Sequence, residues 1–368
     1  SVGTAFERYI ANPLFAWNTS IGQWSNLTDF PVYDLKPERT NSFEVGMNMR
    51  FLKNFELDVT YYNAKTMNQT FNPELPVGEY ARIYIQTGAV RNQGLELALN
   101  YNNTWKDFTW NTGVTYSMNK NKILTLADNA INPITHEKFS ISSLNMGGLG
   151  STRFILKEGG SMGDNYSLMD LKRDANGAVY IDENNSVVTE SLEANNYIKL
   201  GSVLPKGNLA WRNNFSWKNI NVAFLVSARL GGVVFSRTQA VLDNFGVSEA
   251  SAAARDKGYV SVNGNDRVNP EGWYSVVAGG TAVPQYYIYS ATNIRLQEAS
   301  IGYTIPRKWL GNVCDIKVSL IGRNLWMIYN KAPFDPESVA STDNFYQGID
   351  YFMMPSLRNI GFNLSFKF

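Results

Sequence analysis

The sequence predicts an all-β protein built from antiparallel transmembrane strands of a β-barrel. Three observations predict it. Apolar and polar residues alternate with period two in nine segments of about ten to thirteen residues, the length that crosses a bilayer as a tilted strand. Short and long connections alternate strictly between those segments, as in barrels with turns on one side and loops on the other. Finally, 20 Tyr, 20 Phe and 9 Trp stand beside only 18% charged residues, with no apolar run long enough for a spanning helix.

The first clear segment is SFEVGMNMRFL, where Phe43, Val45, Met47, Met49 and Phe51 oppose Glu44, Gly46, Asn48 and Arg50. In FELDVTYYNAK, Phe55, Leu57, Val59 and Tyr61 share one face. Leu95, Leu97, Leu99 and Tyr101 do so in QGLELALNY, and Phe108, Trp110, Val114, Tyr116 and Met118 in FTWNTGVTYSM. NLAWRNNFSW, INVAFLVSARL, NIRLQEASIGYTI, DIKVSLIGRNLW and NIGFNLSFKF complete the nine, with VGTAFERYI a weakly patterned tenth. In NIRLQEASIGYTI the apolar parity switches between Leu296 and Ala299, which a one-residue bulge near Gln297 and Glu298 repairs.

Short turns fall at Lys53-Asn54, Lys106-Asp107 and Lys218-Asn219, with Pro306 to Asn312 a longer version. Long connections are expected near 67–91, 121–206, 232–292 and 328–356. Trp105, Trp110 and Trp217 lie close to the short turns, where a membrane barrel carries an aromatic girdle. With no linker or shift in composition, residues 1–368 read as part of one barrel domain.

Composition excludes several classes. The 33 basic and 32 acidic side chains leave no basic footprint for nucleic acid. One cysteine, Cys314, makes no internal disulfide. The single histidine, His136, sits in a polar stretch, so neither a Ser-His-Asp hydrolase nor a His/Cys metal centre is expected. Asp174, Asn176 and Asp182 offer oxygen ligands to calcium at short spacing, against a hairpin turn on Asn176-Gly177 as the plainer reading.

LKPERTNSFEVGMNMRF, GAVRNQGLELALN, GSVLPKGNLAWRNNFSWKNINVAF, NIRLQEASIGYTIPRKWL, GRNLWMIYNKAPFDPE and the terminal NIGFNLSFKF together resemble the later barrel strands of the SusC/RagA-type TonB-dependent transporters. The resemblance implies the C-terminal part of a larger, 22-stranded barrel, with the plug and earlier strands outside this sequence. It implies import across the outer membrane of an oligosaccharide, or less readily a peptide. It also implies a SusD-like surface lipoprotein as lid and the TonB complex acting through the plug, while the alternation of short and long connections puts the C-terminus on the periplasmic side. Import makes and breaks no bond, so neither enzymatic activity nor a cofactor is expected. A self-contained ten-stranded barrel, closed by residues 2–10 and acting as a passive pore or adhesin, is the alternative.

Sugars present apolar faces and hydroxyl edges, so substrate contacts are expected from loop aromatics: Trp273, Tyr274, Tyr286, Tyr287, Phe345 and Tyr346. In the closing strand Phe362, Leu364, Phe366 and Phe368 share the apolar parity. Phe366→Asp is therefore expected to lower the yield of inserted protein, whereas Asn363→Asp is tolerated. Equal yields in a membrane-insertion assay would contradict the assignment of faces.

Overall fold

The computed structural model describes residues 37–71, 85–131, 137–280, 282–311, 313–341 and 347–367, with short strand pieces at 15–18, 23–26, 29–30 and 82–83. Nine strands make one antiparallel sheet: β1 (Arg39–Phe51), β2 (Phe55–Phe71), β3 (Ile85–Trp105), β4 (Phe108–Thr125), β5 (Gly207–Trp217), β6 (Ile220–Leu230), β7 (Asn293–Ile305), β8 (Asp315–Asn330) and β9 (Asn359–Lys367). Each pairs with its neighbours in sequence, so the sheet is a meander.

Register carries the two faces across the whole sheet. Met49, Leu57, Leu99, Val114, Trp211, Val226, Leu296 and Trp326 form one row through eight strands, every member apolar. One residue away, Arg50, Glu56, Asn100, Gly113, Arg212, Leu225, Glu298, Arg323 and Asn359 form a row through all nine, with Leu225 its one large apolar member. Because side chains alternate, a slip of one residue anywhere would put charge on the apolar face. That face is not covered by protein: Trp326 is 62% and Phe362 79% exposed. An uncovered apolar surface of this extent calls for lipid as its solvent.

The expected bulge lies at Gln297. Leu225 pairs with Glu298 and Val226 with Leu296, so Gln297 is skipped, and β8 skips it too. One extra residue there returns Ile294 and Leu296 to the face of Ala299 and Ile301.

At the short-turn end the rings of Phe51, Phe55, Tyr101, Trp110 and Phe215 follow one another at centroid distances of 4.7–6.1 Å. Trp105 and Phe108 stack at 6.0 Å beside them. Such a belt suits the interface, where a ring meets both hydrocarbon and headgroups. The turns themselves place Lys53, Lys106 and Lys218 at positive φ. On the polar face Gly94 lies opposite Tyr62 in the register, and any Cβ there would come within 2.5 Å of the Tyr62 ring. Glycine is therefore required for the ring to lie across the neighbouring strand.

The 67–91 connection needs correcting. β2 has 17 residues, β3 21 and β4 18, and Lys65 pairs with Arg91, Met67 with Ala89. These strands continue past the apolar band, where Asn63, Lys65, Gln93 and Arg91 occupy the outer parity. The outer face there is polar enough to meet water while the inner face at Val90 and Ile123 is covered by the connection after β4, so the apolar-out alternation ceases while the backbone ladder goes on.

β1 and β9 each pair on one side only among the described residues. The candidate strand at residues 2–10 lies outside the described residues. Leu99→Lys, on the apolar face, is expected to cost about 2–4 kcal/mol near mid-bilayer, and Ala98→Lys, beside Asp58 on the polar face, far less. Denaturant titration of the full-length protein folded into lipid vesicles measures both, and equal losses would refute the face assignment.

Candidate functional site

The polar face forms the wall of a lumen. Its amides are linked across strands: Asn221 donates to Asn214 (2.6 Å) and to the Ser216 hydroxyl (2.9 Å), and Asn119 and Asn121 donate to Asn92 (3.2 and 3.0 Å). Three of its arginines are held beside carboxylates or amides. Arg50 meets Glu56 at 3.4 Å, Arg323 meets Glu298 at 3.1 Å, and Arg212 donates to Asn100 at 3.3 Å. Two recesses open on this face. One of about 420 Å³ is bordered by Asn100, Asn111, Arg212, Asn214 and Glu298. A second of about 690 Å³ is bordered by Asp58, Glu96, Ser117, Arg229 and Glu337. Hydroxyl, amide and carboxylate groups at this density suit a ligand rich in hydrogen-bonding edges.

The long connections build a cap with its own apolar core. Phe154, Leu171 and Val187 come from the connection after β4, and Phe235, Val268, Val277 and Val283 from the one after β6; Ile349 comes from the one after β8. All are buried. Residues 233–236 pair antiparallel with 288–290 and parallel with 349–350, which ties the last connection to the third. α1 (Arg237–Asn244) and α3 (Pro270–Val277) contribute Ala240 and Val277 to this core, and α2 (Glu249–Lys257) packs beside α3. Each start is specified locally. Ser236 caps α1 and donates its hydroxyl to Asp350 at 2.6 Å. Ser248 and Ser251 form a reciprocal capping box on α2, and Asn269 caps α3 ahead of Pro270. A second core, with Val90, Ile123, Leu144 and Leu156, lies where the connection after β4 folds onto the inner side of β3 and β4.

The cap distributes the expected substrate aromatics unevenly. Trp273 and Tyr286 meet edge to face at 5.3 Å, Trp273 half-buried and Tyr286 39% exposed. Tyr274 borders a recess of about 570 Å³ among α1, α2 and α3, with Asp243, Arg255 and Glu271. Burial, and then the Asp243 carboxylate, push its phenol above the usual tyrosine range. Tyr287 requires a correction. It is 3% exposed and donates its hydroxyl to Asp243 at 3.0 Å, so it belongs to the core and offers no face to a ligand. Phe345, Tyr346 and His136 lie outside the described residues.

The calcium candidates are engaged in turns. Asp174 accepts from the backbone N–H groups of Asn176 and Ala178, and Asp182 from those of Asn184 and Ser186. These are two successive Asx-type hairpin turns, bridged at Arg173–Val179 and Ile181–Val187. Among the described residues no group of three His, Cys, Asp or Glu is placed to hold a metal. Gly159–Gly163 has the G-x-S-x-G spacing of a nucleophile elbow. Its Ser161 instead sits in a turn between strands, accepting from Gly163 N–H at 3.2 Å, not at a strand-to-helix corner.

The feature that sequence reading missed is a latch between wall and cap. Arg295 of β7, 3% exposed, meets Asp335 at 2.9 Å and Glu337 at 3.2 Å. Asn293 accepts from Arg295 Nε (3.1 Å) and donates to Glu337 (3.3 Å), and Ser356 hydrogen-bonds to Asp335. Nothing local in FDPE announces a partner some forty residues upstream. Burial alone would raise the Asp335 pKa, but hydrogen bonds from Arg295, Ser356 and the Glu337 N–H hold it below the ordinary carboxylate value. A carboxylate depressed on folding stabilises above its unfolded pKa, and that stabilisation is lost as pH falls through the folded value. The hydrogen-bonded amides of Ala332, Glu337, Ser338 and Ala340 are therefore expected to stay protected at neutral pH and to lose protection in acid, below the ordinary carboxylate range. Arg295→Gln breaks a buried pair at about 3–5 kcal/mol and should remove that protection at every pH, by roughly 100-fold or more in exchange rate. Hydrogen exchange on the full-length protein in detergent reads both; unchanged exchange in the variant would dismiss the latch.

Comparison with known proteins accords with this architecture. Residues 1–224 match the family described as TonB dependent receptor-like, beta-barrel. TonB-dependent receptor P3 of Formosa agariphila is 26% identical over 383 residues, covering 93% of this chain and 35% of the relative. TonB-dependent receptor P26 of the same organism is also 26% identical, covering 90% and 34%. The chain thus spans about a third of the length of the curated relatives it matches. Among solved structures, the RagAB peptide importer in its open-open and closed-closed states superposes over 96% of this chain at a TM-score of 0.69 and 17% identity, with 37% and 38% of those chains covered. With more than half its length matched by the family and its sheet in the same fold, the chain belongs to the TonB-dependent receptor-like β-barrel family.

Proposed function

We propose that this chain forms the C-terminal wall and outer loop cap of a TonB-dependent importer in the bacterial outer membrane. The long-loop end faces outward and the short turns, with the end of β9, face the periplasm. The observation that carries this is the single sheet with one apolar and one polar face whose edge strands are unpaired among the described residues. In hydrocarbon each unpaired N–H or C=O costs several kcal/mol, so further strands close the wall. The polar lumen then surrounds a plug, and TonB acts by pulling on that plug. A SusD-like surface lipoprotein lids the cap.

For substrate we favour an oligosaccharide over a peptide. The Trp273–Tyr286 pair gives a ring platform on the cap, and the amides and carboxylates of the lumen recesses give partners for hydroxyls. The peptide alternative has its support in the fold shared with a peptide importer.

The test uses the native full-length protein, extracted without proteolysis. An intact mass well above the 41.3 kDa of this chain, or a tightly bound partner carrying the remaining strands, is expected; a lone 41.3 kDa species would favour the passive pore. Binding of oligosaccharide and peptide pools in detergent separates the substrates. Trp273→Ala with Tyr286→Ala is expected to weaken oligosaccharide binding about tenfold, the scale of one to two aromatic contacts. Capture of peptide with no oligosaccharide bound, or oligosaccharide binding unchanged in the double variant, would overturn the substrate reading.

A further inference from the structure

Directly above the apolar band, the outer parity of β2, β3 and β4 changes character. Val45, Tyr61, Leu95 and Met118 form the top apolar row. The next row toward the long loops is Phe43, Asn63, Gln93 and Lys120, and the one after it Asn41, Lys65, Arg91 and Lys122. Four cations thus lie on three adjacent strands within two rows, and no carboxylate shares those rows. That they point outward follows from their neighbours. Val90 and Ile123, one residue from Arg91 and Lys122, are buried in the core on the inner side, and strand side chains alternate.

These cations also differ from those of the lumen. Arg50, Arg295 and Arg323 each meet a carboxylate, whereas Lys65, Arg91, Lys120 and Lys122 have no ion pair among the described residues. The Nε of Arg91 is buried without a hydrogen-bond partner. Lys65 and Lys120 are exposed. Rows on one strand face are spaced by about 7 Å along the strand, so with the usual barrel tilt the two rows stand roughly 5 and 10 Å above the hydrocarbon. That is the depth of lipid headgroups.

We propose that this patch on β2–β4 binds the phosphate groups of an outer-leaflet lipid. A phosphate needs several donors converging from one side, and Arg91 supplies a planar fork between lysines on both neighbouring strands. Acidic side chains in these rows would repel such a headgroup, and there are none. The inference rests on the outer-membrane reading above.

The test compares full-length protein in nanodiscs containing monophosphorylated lipid A with nanodiscs containing the same lipid dephosphorylated. Lipid retained on the released protein is counted by native mass spectrometry. Wild type is expected to retain phosphorylated lipid A and little of the dephosphorylated form. The combined Lys65→Gln, Arg91→Gln, Lys120→Gln and Lys122→Gln variant should lose at least tenfold. Lys53→Gln with Lys106→Gln and Lys218→Gln, at the opposite end of the barrel, should retain lipid as wild type does. Equal retention by wild type and the first variant, equal loss in the second, or retention of dephosphorylated lipid would each overturn the assignment. Failure of wild type to enter nanodiscs at all would instead bring down the membrane reading on which it rests.

Discussion

Backbone pairing in a solvent that offers no hydrogen bonds is the constraint on which everything else in this molecule depends. A strand in hydrocarbon must satisfy its N–H and C=O groups on neighbouring strands along its whole length. Once nine strands are bonded in this way, one register fixes the side of every residue. The row from Met49 to Trp326 and the row from Arg50 to Asn359 are consequences of the same ladder, offset by one residue. The girdle at the short turns, the amide-lined lumen and the cationic rows on β2–β4 are positions on that grid. The Gln297 bulge shows how strict the grid is: an extra residue is looped out so that Ile294 and Leu296 regain the lipid side.

How much of this was legible in the sequence follows from where water is. Inside the apolar band the two faces meet different solvents, so Val45 to Phe51, Leu95 to Tyr101 and the closing strand carry the alternation openly. Above the band the outer face meets water and the inner face lies partly under the cap at Val90, so TMNQTF and IQTGAVRNQ pair as strand without the apolar-out pattern to announce it. The cap was illegible for a different reason. Its core draws single residues such as Phe154, Val187, Phe235, Val277 and Ile349 from three connections, and no local period links them. Aromatic content pointed to this region, yet it could not separate Tyr286, part of an exposed ring pair, from Tyr287, whose hydroxyl is held by Asp243. Neighbours in sequence face opposite ways, and only packing says which way is out.

Cap and wall are joined by the apolar core of Val90, Ile123, Leu144 and Leu156 over β3 and β4, and by polar contacts where β6 and β7 leave and enter the wall. Arg295 holds Asp335 and Glu337, Arg229 donates to the Val203 carbonyl at 2.8 Å, and the Gly231 N–H donates to Thr292 at 2.9 Å. Each link has one partner on or beside a barrel strand and the other in or beside a connection. A cap held by buried ionic contacts is set at a defined position on the wall, because such contacts tolerate little displacement without leaving a charge unpaired. It also keeps its own apolar core, so the cap can hold its shape if the links to the wall are loosened.

The direction of the strands limits how the wall is completed. β1 runs toward the short turns, β2 away from them, and so on through the meander, so β9 runs the same way as β1. Two strands of the same direction cannot close an antiparallel barrel by pairing with each other. Whatever strands complete the wall must therefore be odd in number. A barrel of about 22 strands, less these nine, meets that condition, and so does one further strand in a barrel of about ten. Lumen size separates the two. A barrel of about eight to ten strands is nearly filled by its own side chains. Arg50, Arg212 and Arg323 project into the lumen from one nine-strand row, their long side chains bonded to groups of the wall. Long lumenal arginines turned back onto the wall leave the centre of the barrel free, which a wide barrel around a plug requires and a narrow, self-filled one does not.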